Sequence, residues 1–206
     1  MKNFLFTAIL LLCVAMGSNA QTNTLKFNKD GKFKIVQFTD LHIKWQDTRS
    51  DIAFTCIKNT LEAEKPDLVV LTGDIIYSAP ADKNFRHVME FISQYKIPFA
   101  LAFGNHDREQ GLSNAELLKI AREFPYCVAS DVENLTGDGN YTLEVKGGND
   151  DKNKMILYFI DSNRGSLLEE QGVGGYDYIH LDQVNWYVET SRTYTKQNGG
   201  TPLPAL

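Results

Sequence analysis

Three short apolar runs, each closing on metal-binding residue types, limit what this chain can fold into more than any other feature. FKIVQFT ends in Asp40-Leu41-His42, DLVVLTGD delivers Asp74, and IPFALAFG leads into Asn105-His106-Asp107. Asp74 lies 34 residues after Asp40, and Asn105 lies 31 residues after Asp74. Between the runs stand two helix candidates. Residues 49–64 place Ile52, Ile57 and Leu61 on an approximate apolar face closed by Pro66, and residues 82–95 repeat Phe85, Val88, Met89 and Ile92 before Pro98. Strand, helix, strand, helix, strand at this spacing predicts parallel strands with right-handed crossovers. DLVVLTGD, apolar throughout, is expected in the middle of that sheet with both faces covered. Ligands of such sheets bind beyond the carboxyl ends of the strands, which is where all three motifs fall.

Ser113-Asn114-Ala115-Glu116 has the form of a capping box and predicts a helix running to about Phe124. The character then changes. NYTLEVKGG and KMILYFID read as neighbouring antiparallel or mixed strands joined by the turn-rich residues 147–151. Arg164 to Tyr178 reads as glycine-bearing loop, and LDQVNWYVETS as a helix carrying Trp186. With 206 residues, 43% of them hydrophobic, the chain can bury one substantial core, and a second full domain does not fit.

Residues 1–20 have a Lys near the start, an apolar run from Phe4 to Met16, and small residues Ser18 and Ala20 at cleavage spacing. This is the pattern of a secretory signal, and it predicts a secreted or periplasmic protein of residues 21–206 with no membrane attachment after cleavage. The run is shorter than the ~20 apolar residues of a spanning helix. Loss of Lys2 with the leader takes the net charge from −5 to −6. An acidic surface does not attract nucleic acid, so any affinity for phosphate must come from something local, such as bound metal. Cys56 and Cys127 remain, free or paired, with no metal spacing between them.

If the first strand stays extended past Thr39, Asp40 and His42 leave it on the same side, so a carboxylate and an imidazole can share one ion. Asp74 can bridge two ions, and the amide oxygen of Asn105 suits a hard or borderline metal. Two ions ~3.5–4 Å apart clamp the attacking and leaving oxygens of displacement at phosphorus. His106 can donate to a phosphoryl oxygen or protonate a leaving alkoxide, with Asp107 holding its imidazole in one tautomer. The bland alternatives for this pair are a loop histidine in water and an acid that begins the next segment. A dinucleotide-binding domain needs a glycine-rich first turn, absent here, and Gly-x-Ser-x-Gly is also absent. His87, on a helix, and His180, in a loop, read as surface or packing residues.

FTDLH, LTGD and FGNHD, in this order and spacing, resemble the calcineurin-like metallophosphoesterase superfamily; GYDYI and QVNWY are similar to its purple-acid-phosphatase-like branch. The resemblance covers residues 33–206. It implies a four-layer α/β/β/α sandwich with mixed sheets. It also implies that Asp40 and His42 bind the first metal, Asp74 bridges, Asn105 binds the second, and His106 contacts phosphate with Asp107 behind it. The cofactor would be two ions of iron, manganese or zinc, the substrate a small phosphoester, and the attacking group a metal-activated hydroxide. Two further family motifs, a His after a later strand and a Gly-His-x-His, do not occur in the 206 residues. TPLPAL is similar to the start of the strand that supplies the next ligand. The resemblance therefore leads us to expect a domain lacking its C-terminal part, and inactivity or instability in this form. The competing expectation is a non-catalytic secreted binding or scaffold protein that keeps the fold.

Overall fold

The computed structural model describes residues 24–165, 168 and 171–206; the leader expected over residues 1–20 lies outside them. The first strand was not anticipated from sequence. β1 is only Leu25–Lys26, too short to show a period, and it pairs in parallel with a strand more than a hundred residues on. β2 (Ile35–Phe38), β3 (Leu68–Thr72) and β4 (Phe99–Ala102) form a parallel sheet with β3 in the centre. Leu68, Val69, Val70 and Leu71 are all buried, as a central strand covered on both faces requires.

The two crossovers are α1 (Asp51–Glu64), entered through a 3-10 turn at Thr48–Ser50, and α2 (Ala81–Ser93). On α2, Phe85, Val88, Met89 and Ile92 are fully buried, as expected. On α1, Ile57 and Leu61 are buried but Ile52 is 77% exposed, because it falls in the first turn, ahead of the part that packs on the sheet. Phe54 of α1 meets Phe91 of α2 edge to face at 4.8 Å, so the two helices lie side by side. α3 (Asn114–Ala121) opens with the expected capping box: Ser113 Oγ accepts from the Glu116 amide, and the Glu116 carboxylate accepts from the Ser113 amide. The helix ends three residues before Phe124.

The second sheet has the order β1-β5-β6, with β5 (Tyr141–Lys146) and β6 (Asn153–Phe159) antiparallel. Residues 204–206 run in parallel beside β6 through a bridge between Ile156 and Ala205. α4 (Leu181–Gln197) extends six residues beyond the expected helix and covers this sheet, with Trp186 and Tyr187 against Tyr158. The result is four layers: helices α1 to α3, the parallel sheet, the mixed sheet, and α4. Between the sheets lies a cleft of ≈ 440 Å³ lined by Ile35, Gln37, Val70 and Thr72 on one side and Leu157 and Phe159 on the other. Among the described residues no helix is long and apolar enough to cross a membrane.

One side chain joins the sheets where β4 runs out of neighbours. Phe99 on the outer edge of β4 is paired through the amide of Val128 and the carbonyl of Tyr126. Two residues on, the Tyr141 hydroxyl takes over: it donates to the Leu101 carbonyl at 2.8 Å and accepts from the Leu101 amide at 3.1 Å. A phenol from the other sheet thus stands in for a missing strand, and buried backbone groups require such partners. Burial raises the Tyr141 pKa well above the usual tyrosine range. Tyr141→Phe should lower the unfolding free energy by ~1–3 kcal/mol, the usual penalty for buried groups left unpaired. Urea denaturation measures this, and a change under about 0.5 kcal/mol would remove the edge-capping role.

Candidate metal centre

The three motifs meet at one end of the parallel sheet, but by a different route from the one the spacing suggests. β2 ends at Phe38, and Asp40 and His42 then take left-handed conformations, φ 53° and 47°. The extended backbone expected past Thr39 is interrupted by these two left-handed residues, and the side chains of Asp40 and His42 still converge. Residues 40–43 and 73–77 stay zipped beyond the sheet proper: the amides of Asp40, His42 and Ile43 donate to the carbonyls of Gly73, Asp74 and Ile75, and the Tyr77 amide donates to the Ile43 carbonyl. Asp74 is also left-handed, at φ 51°. The bends in both loops are therefore hydrogen-bonded to each other rather than to solvent.

Asp40, His42 and Asp74 each offer one ligand atom, and these atoms lie within 4.8 Å of one another. His42 Nε2 is 3.2 Å from Asp74 Oδ2 and 3.9 Å from Asp40 Oδ1. The Thr39 hydroxyl donates to the second oxygen of Asp40 at 2.6 Å. Asp74 is divided between two tasks: Oδ1 accepts from the His106 amide at 3.0 Å, while Oδ2 faces His42. Asn105 follows β4 half-buried, between Gly104 and His106, whose amides are both hydrogen-bonded to acids. Two carboxylates and an imidazole converging in this way, with an amide oxygen on the adjoining loop, fit a divalent or trivalent ion of the iron, manganese or zinc type.

Two glycines permit this approach. A Cβ on Gly73 would lie 2.5 Å from the Gly104 nitrogen, and one on Gly104 would lie 2.2 Å from Asp74 Oδ1. The glycine before Asp74 in LTGD and before Asn105 in FGN is a packing requirement: the two loops touch backbone to backbone.

Asp107 does not sit behind His106. It is fully buried, and its Oδ2 accepts from the amides of Asp74 and Gly104, both at 2.9 Å, while Oδ1 accepts from Ile75 at 2.7 Å and Ile76 at 3.2 Å. Burial raises its pKa, opposed by these backbone bonds. The partner of the His106 ring is Glu109, whose Oε2 lies 2.6 Å from Nδ1 and whose other oxygen is paired with Arg164. The Glu109 hydrogen bond raises the His106 pKa against burial, and the same bond, with Arg164, lowers that of Glu109. Glu109 had a signal in sequence, since three residues along the turn Asp107–Gln110 returns to the same side. Arg164, 58 residues from His106, had none.

Tyr77 is the aromatic at the centre of the site: it stacks on His42 at 4.9 Å and meets His106 edge-on at 4.9 Å, with Lys44 Nζ 5.2 Å from its ring. Trp45 packs on His87, and Tyr178 stacks on His180, which caps α4 and binds Asp177. Both histidines therefore have packing or capping roles. Cys56 and Cys127 are free thiols; Cys56 is exposed, whereas burial holds Cys127 at a pKa of about 11.

Asp107→Asn tests the buried carboxylate. An amide sets its NH2 against two of the four donors, so hydrogen exchange should quicken selectively at one pair, Asp74 with Gly104 or Ile75 with Ile76. Stability should fall by about 2 kcal/mol or more. Unchanged exchange at all four amides would remove Asp107 as the organiser of the loops.

Comparison with known proteins agrees with this geometry. The family model described as calcineurin-like phosphoesterase matches residues 33–195. A probable inactive purple acid phosphatase 29 of Arabidopsis thaliana is 30% identical over 97% of the chain and 58% of its own length. Phosphatase DCR2 of Saccharomyces cerevisiae is 33% identical over 80% of the chain and 32% of its own length. The chain thus spans about half or less of the curated relatives it matches. A crystal structure of a dimetal phosphatase from Danio rerio superposes with a TM-score of 0.54 at 13% identity, covering 84% of this chain and 68% of that one, and shows the fold. The motif loops, the two-sheet architecture and the family match together make this chain a member of the calcineurin-like phosphoesterase family, with purple-acid-phosphatase-like relatives.

Proposed function

We propose that the domain to which these residues belong hydrolyses small phosphate esters at the ends of β2, β3 and β4, with the 206 residues by themselves expected to be the weaker or inactive form. Asp40 and His42 would hold a first ion, Asp74 would bridge, and Asn105 would hold a second. The observation that carries this reading is the division of Asp74, one oxygen anchored by the His106 amide and the other facing His42 and Asp40. When bound, such ions supply Lewis acidity, lowering the pKa of water and drawing charge off phosphoryl oxygens. The chain's own contribution is placement. Asp107 fixes the amides of both loops, and Nε2 is the His106 ring nitrogen left to face a phosphoryl or leaving-group oxygen, to which the protonated ring can donate. Two loops locked to each other present these groups without rearrangement, which is where electrostatic stabilisation is most effective.

A second reading has one observation in its favour: the Arabidopsis thaliana relatives are named probable inactive phosphatases. On that reading the chain keeps the fold and metal as a binding protein. Metal analysis together with turnover of p-nitrophenyl phosphate and bis(p-nitrophenyl) phosphate separates the two. The hydrolase reading expects transition metal in the purified protein and turnover with either ester. In Asp74→Ala, turnover should fall by more than the ~10- to 100-fold typical of losing a group behind a metal ligand. Metal without turnover selects the binding protein, and protein that takes up no manganese, zinc or iron removes the metal centre from both.

A further inference from the structure

One ring nitrogen of His106 is already committed. Nδ1 lies 2.6 Å from Glu109 Oε2. Oε1 of the same carboxylate meets Nη2 of Arg164, whose own backbone carbonyl accepts from Arg108 Nη2 at 3.3 Å. The ring is also held through its faces and edges, with Tyr77 at 4.9 Å and His42 at 5.5 Å between centroids. A carboxylate on Nδ1 selects the tautomer and fixes the ring direction. A carboxylate held at only one oxygen can still swing about its terminal torsion, which is broad and soft. The guanidinium on Oε1 removes that freedom.

Arg164 lies in the loop that follows β6 of the other sheet, and its position is prepared by the residues before it. Asp161, at the end of β6, accepts from the Asn163 amide at 2.8 Å, and the Asn163 side-chain amide donates to Gln183 Oε1 and to the Tyr178 carbonyl, both at 2.9 Å. Gln183 is fully buried on α4 and donates in turn to Asn140 and to the Asp161 carbonyl. The base of the loop is therefore tied down on three elements immediately before Arg164 reaches across to Glu109.

We propose that Glu109 and Arg164 are positioning residues for phosphoester hydrolysis: they lock the His106 imidazole in one tautomer and direction, leaving Nε2 as the nitrogen presented to the substrate. The catalytic consequence rests on the hydrolase reading above. The ring geometry does not, and the test separates them. Nitrogen-15 spectra of the imidazoles in metal-free protein read the tautomer directly. At a pH where the ring is neutral, wild type should show His106 as a single Nδ1-protonated tautomer, Glu109→Ala as a tautomer mixture, and Arg164→Met as an intermediate state that Arg164→Lys restores toward wild type. Unchanged amide signals at Asp74, Ile75 and Ile76 establish that each variant is folded. In the metal-loaded protein, Glu109→Ala should lower kcat by ~10- to 100-fold, the usual range for a partner of this kind, with KM within about twofold. Arg164→Met should lower kcat less, and Arg164→Lys should recover most of it. Identical His106 spectra in wild type and Glu109→Ala overturn the proposal whatever the turnover. A changed spectrum with unchanged kcat overturns its catalytic part. A changed spectrum in a protein that hydrolyses neither ester upholds the ring assignment and removes the hydrolase reading instead.

Discussion

Four backbone amides from two strand-end loops converge on the carboxylate of Asp107, and the ordering of the site follows from that. Where β3 and β4 stop pairing, the amides of residues 74–76 and 104 would otherwise point into a space without water. A buried carboxylate is expensive to desolvate, but each hydrogen bond to a charged acceptor returns about 1.5–3 kcal/mol, and four of them saturate both oxygens. The consequences are geometric. Gly73 and Gly104 come into backbone contact, the His106 amide reaches Asp74 Oδ1, and the free oxygen of Asp74 is left facing His42. A side chain that reads in sequence as the companion of His106 is instead the fastening of the loops that carry the cluster.

The parts of this arrangement governed by short-range pattern were legible in the sequence. The buried face of α2, the continuous burial of β3 and the capping box before α3 follow from period, run length and side-chain chemistry within a few residues. Asp40, His42 and Asp74 were legible as a group because each follows its own apolar strand. The left-handed backbone at the first two was not, since positive φ at an Asp or His leaves no compositional mark. β1 was missed because two residues carry no period, and Tyr141 as an edge cap because its target is 40 residues away and bonded only through backbone. The expected place of Asp107 beside His106 fell to Glu109 for a related reason. Adjacency in sequence favours Asp107, whereas the turn after His106 points Asp107 inward and returns Glu109 to the imidazole.

The second sheet does more than cover the first. Through Tyr141 it completes the hydrogen bonding of β4, the strand that delivers Asn105 and His106. Through Asn140 before β5 and Asp161 after β6, with Gln183 of α4 bridging them, it fixes the start of the loop that carries Arg164. On the opposite side, the buried amide of Asn84 on α2 donates to the Ile43 carbonyl and to the Ser78 carbonyl, holding the segments that follow His42 and Asp74. The motif loops are thus gripped by a helix on one side and by the mixed sheet on the other, and precise sites depend on such support behind the groups that do the chemistry.

This rigidity also bears on how an acidic chain can hold an anionic substrate. Asp40 and Asp74 present carboxylate oxygens within 4.8 Å of each other. The backbones that carry them are held in place, because Asp74 Oδ1 accepts from the His106 amide and Asp40 is zipped to Gly73. With the His42 imidazole between them, the two acids form a local group of cation ligands on loops that Asp107 and the glycine contact hold together. On the hydrolase reading net charge does not decide the matter: the field a phosphoester would meet is that of the metal-loaded cluster, with His106 and Lys44 near it, rather than that of a chain total of −5.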